Sequence, residues 1–66
     1  MCLLKVYLKN EDSSQKLIAE EIAIVAKEDG KVRIRNLNME EKTLDNVEIL
    51  LIDALNSVLL LKNRKD

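Results

Sequence analysis

The chain's only glycine, Gly30, follows Asp29, and alternating apolar residues flank the pair on both sides, in IAIVAKE before it and KVRIRNL after it. An Asp-Gly pair in that setting is a strong local hairpin signal, because both residues tolerate the left-handed backbone of a tight turn. Beyond the turn the alternation is strict: Val32 and Ile34 point inward, and Lys31, Arg33 and Arg35 point outward. The pattern predicts a strand from about Ile22 to Lys27 paired with one from Lys31 to Leu37. The preceding stretch is ambiguous. Asp12 followed by Gln15 imitates a helix-capping box, and Ile18, Ile22 and Val25 fit one helical face, so a short helical turn within residues 13–21 stays open.

The remaining segments extend the period-two reading. Cys2, Leu4, Val6 and Leu8 share one face of a strand over residues 2–9, with Leu3, Lys5, Tyr7 and Lys9 on the other. The polar run NEDSSQ reads as a loop, and NLNMEEKTL as a turn between strands. In VEILLIDALNSVLLLK the alternation fails, since Ile49 and Leu51 on one face and Leu50 and Ile52 on the other are all apolar. Val58 to Leu61 repeat this after an Asn56-Ser57 turn. A strand apolar on both faces is buried on both. The expected fold is therefore all-β, a small five-stranded antiparallel barrel of the SH3 or Sm type. Such a barrel has one interior, so a homodimer is expected to cover the outer apolar face.

Composition narrows the function classes. Sixty-six residues make one domain, residues 1–66, and a core this small often needs a staple or a partner chain. The single cysteine excludes an internal disulfide, and the lack of histidine excludes an intrachain zinc site of the usual thiolate and imidazole kind. At 47% hydrophobic with no proline, the chain reads as folded. The net charge of −1 gives no general attraction to nucleic acid or anionic membrane. With no secretory leader and no apolar run near the ~20 residues of a membrane span, a cytoplasmic protein is expected.

The opening MCLLKVYL, the central EEIAIVAKEDGKVRIRNL, the following EEKTL and the closing ILLIDALNSVLLL together resemble the CooT family of small nickel-binding accessory proteins. Members of that family have also been described as predicted RNA-binding proteins. The resemblance spans nearly the whole chain, and only its Met-Cys opening is a chemically specific motif. It implies a small β-barrel, a dimer, Ni(II) bound through Cys2, and nickel delivery to carbon monoxide dehydrogenase as client. The chain departs from the family pattern at residues 36–41, where relatives commonly carry a glycine and this sequence reads NLNMEE.

Two roles stand open for Cys2. On the face shared with Leu4, Val6 and Leu8 it is a small hydrophobe capping the core. Alternatively it is a metal ligand. With Met1 retained, the Met1 α-amine, the Cys2 amide and the Cys2 thiolate form two fused chelate rings, a donor set suited to square-planar Ni(II). With Met1 removed, the Cys2 amine and thiolate form one chelate, and two such pairs across a dimer axis complete the set. In either case the ligands must lose protons, so binding weakens as pH falls.

Other constellations carry less. Lys31, Arg33 and Arg35 form a basic strand face that suits RNA, but RNA-binding sheets add aromatic stacking platforms, and Tyr7 is the only aromatic residue. Glu20, Glu21, Glu28 and Asp29 stand where they could neutralise the stripe across strands. Adjacent strand residues point to opposite faces, so neither Glu20-Glu21 nor Glu40-Glu41 converges on a cation. Asp53 is expected to bond backbone at the last hairpin. With no histidine, no glycine-rich phosphate loop and no nucleophile beside a base, the chain is not expected to be an enzyme.

Overall fold

The structure, a computed structural model, describes residues 3–64. Those residues form six strands and no helix: β1 (Leu4–Lys9), β2 (Gln15–Glu28), β3 (Lys31–Asn36), β4 (Glu41–Asp45), β5 (Val47–Asp53) and β6 (Val58–Asn63). The expected all-β class holds. The five-stranded antiparallel barrel does not, because the six strands make one mixed sheet in the order β4-β3-β2-β1-β6-β5. β1 and β6 are parallel, in register from Lys5 opposite Val58 to Lys9 opposite Lys62, and every other neighbouring pair is antiparallel. No ladder joins the outermost strands β4 and β5, so the sheet is not closed.

It is nonetheless curled. One residue, Asn46, separates β4 at one edge from β5 at the other. Asp45 and Val47 therefore lie within about 7.6 Å, Cα to Cα, which brings the two edges together at that corner. Asn46 takes a left-handed backbone (φ 56°) that asparagine tolerates, and its carbonyl accepts the Arg64 N–H at 2.6 Å.

Of the segment left open between strand and helix, Ser13 and Ser14 belong to the β1–β2 loop and the rest, from Gln15, is strand. Asp12 is spent inside the β1–β2 loop, where its carboxylate accepts the Ser14 N–H (3.0 Å) and hydroxyl (2.6 Å). With that side chain turned to the loop, the capping-box signal has nothing to cap. Fourteen residues of straight strand would run about 43 Å, longer than the 35 Å maximum extent of the molecule, so β2 must bend. The bend is a bulge: Ala19 and Ile22 lie opposite Val6 and Leu4, and the extra β2 residue is accommodated with Glu21 at φ 56°. β2 thus pairs with β1 through its first half and with β3 through its second.

β4, expected as part of a turn, is an edge strand made mostly of charged residues, with only Leu44 packed against the core. Its glycine-free entry is held by Asn36, whose side-chain oxygen accepts the N–H groups of Asn38 (2.9 Å) and Glu40 (3.0 Å). Met39 occupies the left-handed position there (φ 69°). Inside the curl, Val6, Ile22, Val32, Ile34, Val47, Leu59 and Leu61 form the buried core. At about 1.5–3 kcal/mol per fully buried aliphatic side chain, this cluster is the main source of stability. The hairpin at Asp29-Gly30 and the inward placement of Val32 and Ile34 agree with the sequence pattern.

Candidate functional site

Met1 and Cys2 lie outside the described residues. What the structure fixes is where the chain emerging from them enters the sheet. Lys5 donates its N–H to the Ser57 carbonyl at 2.9 Å, and the parallel ladder starts at Lys5 opposite Val58. β1 therefore begins beside the β5–β6 turn. That turn is built by Asp53, whose carboxylate accepts the Asn56 N–H (3.1 Å) and side-chain amide (2.8 Å), as its position suggested. Those two bonds hold the Asp53 carboxyl below its ordinary pKa, and the Ser14 bonds do the same for Asp12. Leu55 at the tip of the turn is 92% exposed.

The same parallel pairing assembles a surface that the sequence did not reveal. With Val6, Leu59 and Leu61 facing the core, Tyr7 and Leu60 face outward, opposite each other. Tyr7 also lies opposite Leu17 on β2, and Leu60 opposite Leu51 on β5. Leu17, Tyr7, Leu60 and Leu51 thus form one apolar row across four adjacent strands on the outer face. Leu60 is buried within it, whereas Leu51 remains 51% exposed. Leu50, the extra residue in the β5 bulge, is also exposed, as is Ile52, which lies opposite Leu59 and so on the inner side of this edge strand. Alternation alone could place Tyr7 outward, but not beside Leu60, because nothing local in the sequence announces a parallel β1–β6 pair.

The basic stripe is present and largely neutralised. Arg33 contacts Glu28 at 3.1 Å and Glu41 at 3.5 Å, Arg35 contacts Glu41 at 2.8 Å, and Lys31 stands 3.9 Å from Asp45. Of the carboxylates expected to do this, Glu28 does; the others come from β4 rather than from Glu20 or Glu21. Among the described residues no group of three or more histidine, cysteine or carboxylate side chains is placed to hold a metal. No helix there is long and apolar enough to cross a membrane.

Comparison with known proteins places these features in a family. The family model described as CO dehydrogenase accessory protein CooT matches residues 1–62. The fold is similar to the crystal structure of "putative CooT from Carboxydothermus hydrogenoformans", with a TM-score of 0.82 at 18% identity, over 98% of this chain and 100% of that one. No curated protein matches the sequence. At that identity the structural likeness speaks for the fold, and the family model, matching from Met1 through most of β6, speaks for descent. The chain belongs to the CooT family of CO dehydrogenase accessory proteins.

Proposed function

We propose that the chain is a cytoplasmic nickel carrier, not a catalyst, that holds Ni(II) through Met1 and Cys2 at a homodimer interface and supplies it to carbon monoxide dehydrogenase. The observation that carries this reading is the family match over residues 1–62, which includes the Met-Cys opening. The donor chemistry fits the cargo. An α-amine, a deprotonated amide and a thiolate are strong-field nitrogen and sulfur donors of the kind square-planar nickel prefers. Three donors from one chain leave a fourth position, which the second chain fills.

The dimer has its own support. The row Leu17, Tyr7, Leu60 and Leu51 gives one contiguous apolar strip on the outer face, the kind of surface that marks an interface. β1 enters the sheet beside the β5–β6 turn, on the side of the molecule that carries Leu55. No observation favours RNA as ligand of the Lys31, Arg33 and Arg35 face, whose cations are engaged by carboxylates.

Equilibrium dialysis against Ni(II) tests the reading. Wild-type protein should retain nickel in fixed proportion to chain. Cys2→Ser, and a chain acetylated at its α-amine, should each retain far less. Equal retention by all three would remove Met1 and Cys2 from the ligand set.

A further inference from the structure

The two ends of the curled sheet differ in what their turns expose. At one end lie the β1–β2 loop, the Asp29-Gly30 hairpin and Asn46. Arg64 draws the last two together, its N–H on the Asn46 carbonyl and its guanidinium against Gly30. Residues 10–14, 29–30 and 46 carry no apolar side chain, as is usual for turns. The other end departs from this. Leu4 lies opposite Ile22, Ile22 lies opposite Asn36, and Lys5 bonds the Ser57 carbonyl. The β3–β4 and β5–β6 turns therefore both lie at the end where β1 begins. Leu37 and Met39 in the first turn and Leu55 in the second are exposed, Met39 at 72%. Ile52, at the same end of β5, is on the inner side yet stays exposed where the curl does not close over it.

None of these four side chains belongs to the core. They are displayed on braced turns, since Asn36 holds the N–H groups of Asn38 and Glu40, and Asp53 holds that of Asn56. Met39 breaks two local rules at once: it is apolar and exposed, and it sits on a left-handed backbone that glycine would adopt without strain. Such departures are expected where a surface serves a partner. The apolar row assigned to the second copy crosses the outer face and does not account for these turns. We propose that this end is where CO dehydrogenase docks, seating apolar side chains of its own on Leu37, Met39, Ile52 and Leu55. The choice of partner rests on the nickel reading above. The described chain starts at Leu3, at this same end, and the two residues before it span no more than about 7 Å of chain. Ni(II) held by those residues leaves by ligand exchange, so the recipient's donors must reach the metal before Met1 and Cys2 release it. A recipient that comes so close meets the apolar turns.

Biolayer interferometry on immobilised nickel-free CO dehydrogenase tests the proposal. Wild-type protein should bind saturably. Met39→Gly and Leu55→Ala should each bind at least about tenfold more weakly, the loss of one buried apolar side chain. Both should keep the wild-type thermal stability, nickel retention and sedimentation mass. Lys31→Gln, at the polar end, should bind the enzyme unchanged. Cys2→Ser should bind it too, because the turns rather than the metal make the contact. Docking and nickel binding can thus fail separately: a wild type that docks through Met39 and Leu55 but retains no nickel would uphold this surface and contradict the nickel reading alone. No binding by wild type, equal binding by Met39→Gly and Leu55→Ala, or a matching loss in Lys31→Gln or Cys2→Ser would overturn the proposal. So would a fall in sedimentation mass for Met39→Gly or Leu55→Ala, which would make a second copy the occupant.

Discussion

Replacing Leu51 by lysine separates the stability of one chain from the stability of a pair. Leu51 is outward on the edge strand β5, opposite Leu60, and 51% exposed in the single chain. A charge there replaces surface already half in water, so the fold should lose no more than about 0.5 kcal/mol. The dimer should respond quite differently. Burying the exposed half of a leucine contributes roughly half of the 1.5–3 kcal/mol assigned to a whole side chain. A twofold axis counts the position twice, giving about 1.5–3 kcal/mol per dimer, a weakening of about 10- to 150-fold. Sedimentation equilibrium across a dilution series should give wild-type protein near twice the 7.6 kDa chain mass. Leu51→Lys should fall to the single-chain mass at concentrations where wild type remains paired, with an unchanged urea midpoint measured on the monomer. A wild-type monomer, or a Leu51→Lys protein that pairs as tightly as wild type, would refute the assignment of this face to the interface.

Other perturbations test the fold and its turns. Leu61→Ala, at a position with no exposure, should cost about 2–5 kcal/mol in urea unfolding, whereas Leu55→Ala at the 92% exposed turn tip should cost almost nothing. Met39 is exposed and left-handed, so Met39→Gly should leave stability unchanged or raise it by up to about 1 kcal/mol, while β-branched Met39→Val should lower it; thermal melts decide. Asp12 and Asp53 have folded pKa values below their unfolded ones, so the stability they confer is present above the ordinary aspartate pKa. It is lost as pH falls through the lowered folded values, and urea midpoints should drop below about pH 4, less steeply in Asp53→Asn.

Alternation read correctly the hairpin at Asp29-Gly30, the inward Val6, Val32 and Ile34, and the strands on either side of Asn56-Ser57. It could not separate five strands from six, because Glu41 to Asp45 offers Leu44 alone to the core and is joined to β3 by its backbone ladder. It could not fix topology, since a parallel β1–β6 pair joins residues more than fifty positions apart and leaves no local mark. Asp12 misled in a specific way: the side chain that begins a helix and the one that braces a loop use the same oxygen. At the candidate site, Met1 and Cys2 were legible as donor chemistry alone. The apolar row beside Tyr7 emerged only once the strands were paired.

The central claim is that Cys2 supplies a thiolate to nickel. Ultraviolet–visible titration of the protein with Ni(II), comparing wild type with Cys2→Ser, tests it most directly. Wild type should develop thiolate-to-nickel charge-transfer bands that saturate at a fixed ratio of metal to chain and fade on acidification, as the thiolate and amine regain their protons. Cys2→Ser should show none of these bands at any pH. Bands of equal intensity in the two proteins, or none in wild type at saturating nickel, would contradict the account.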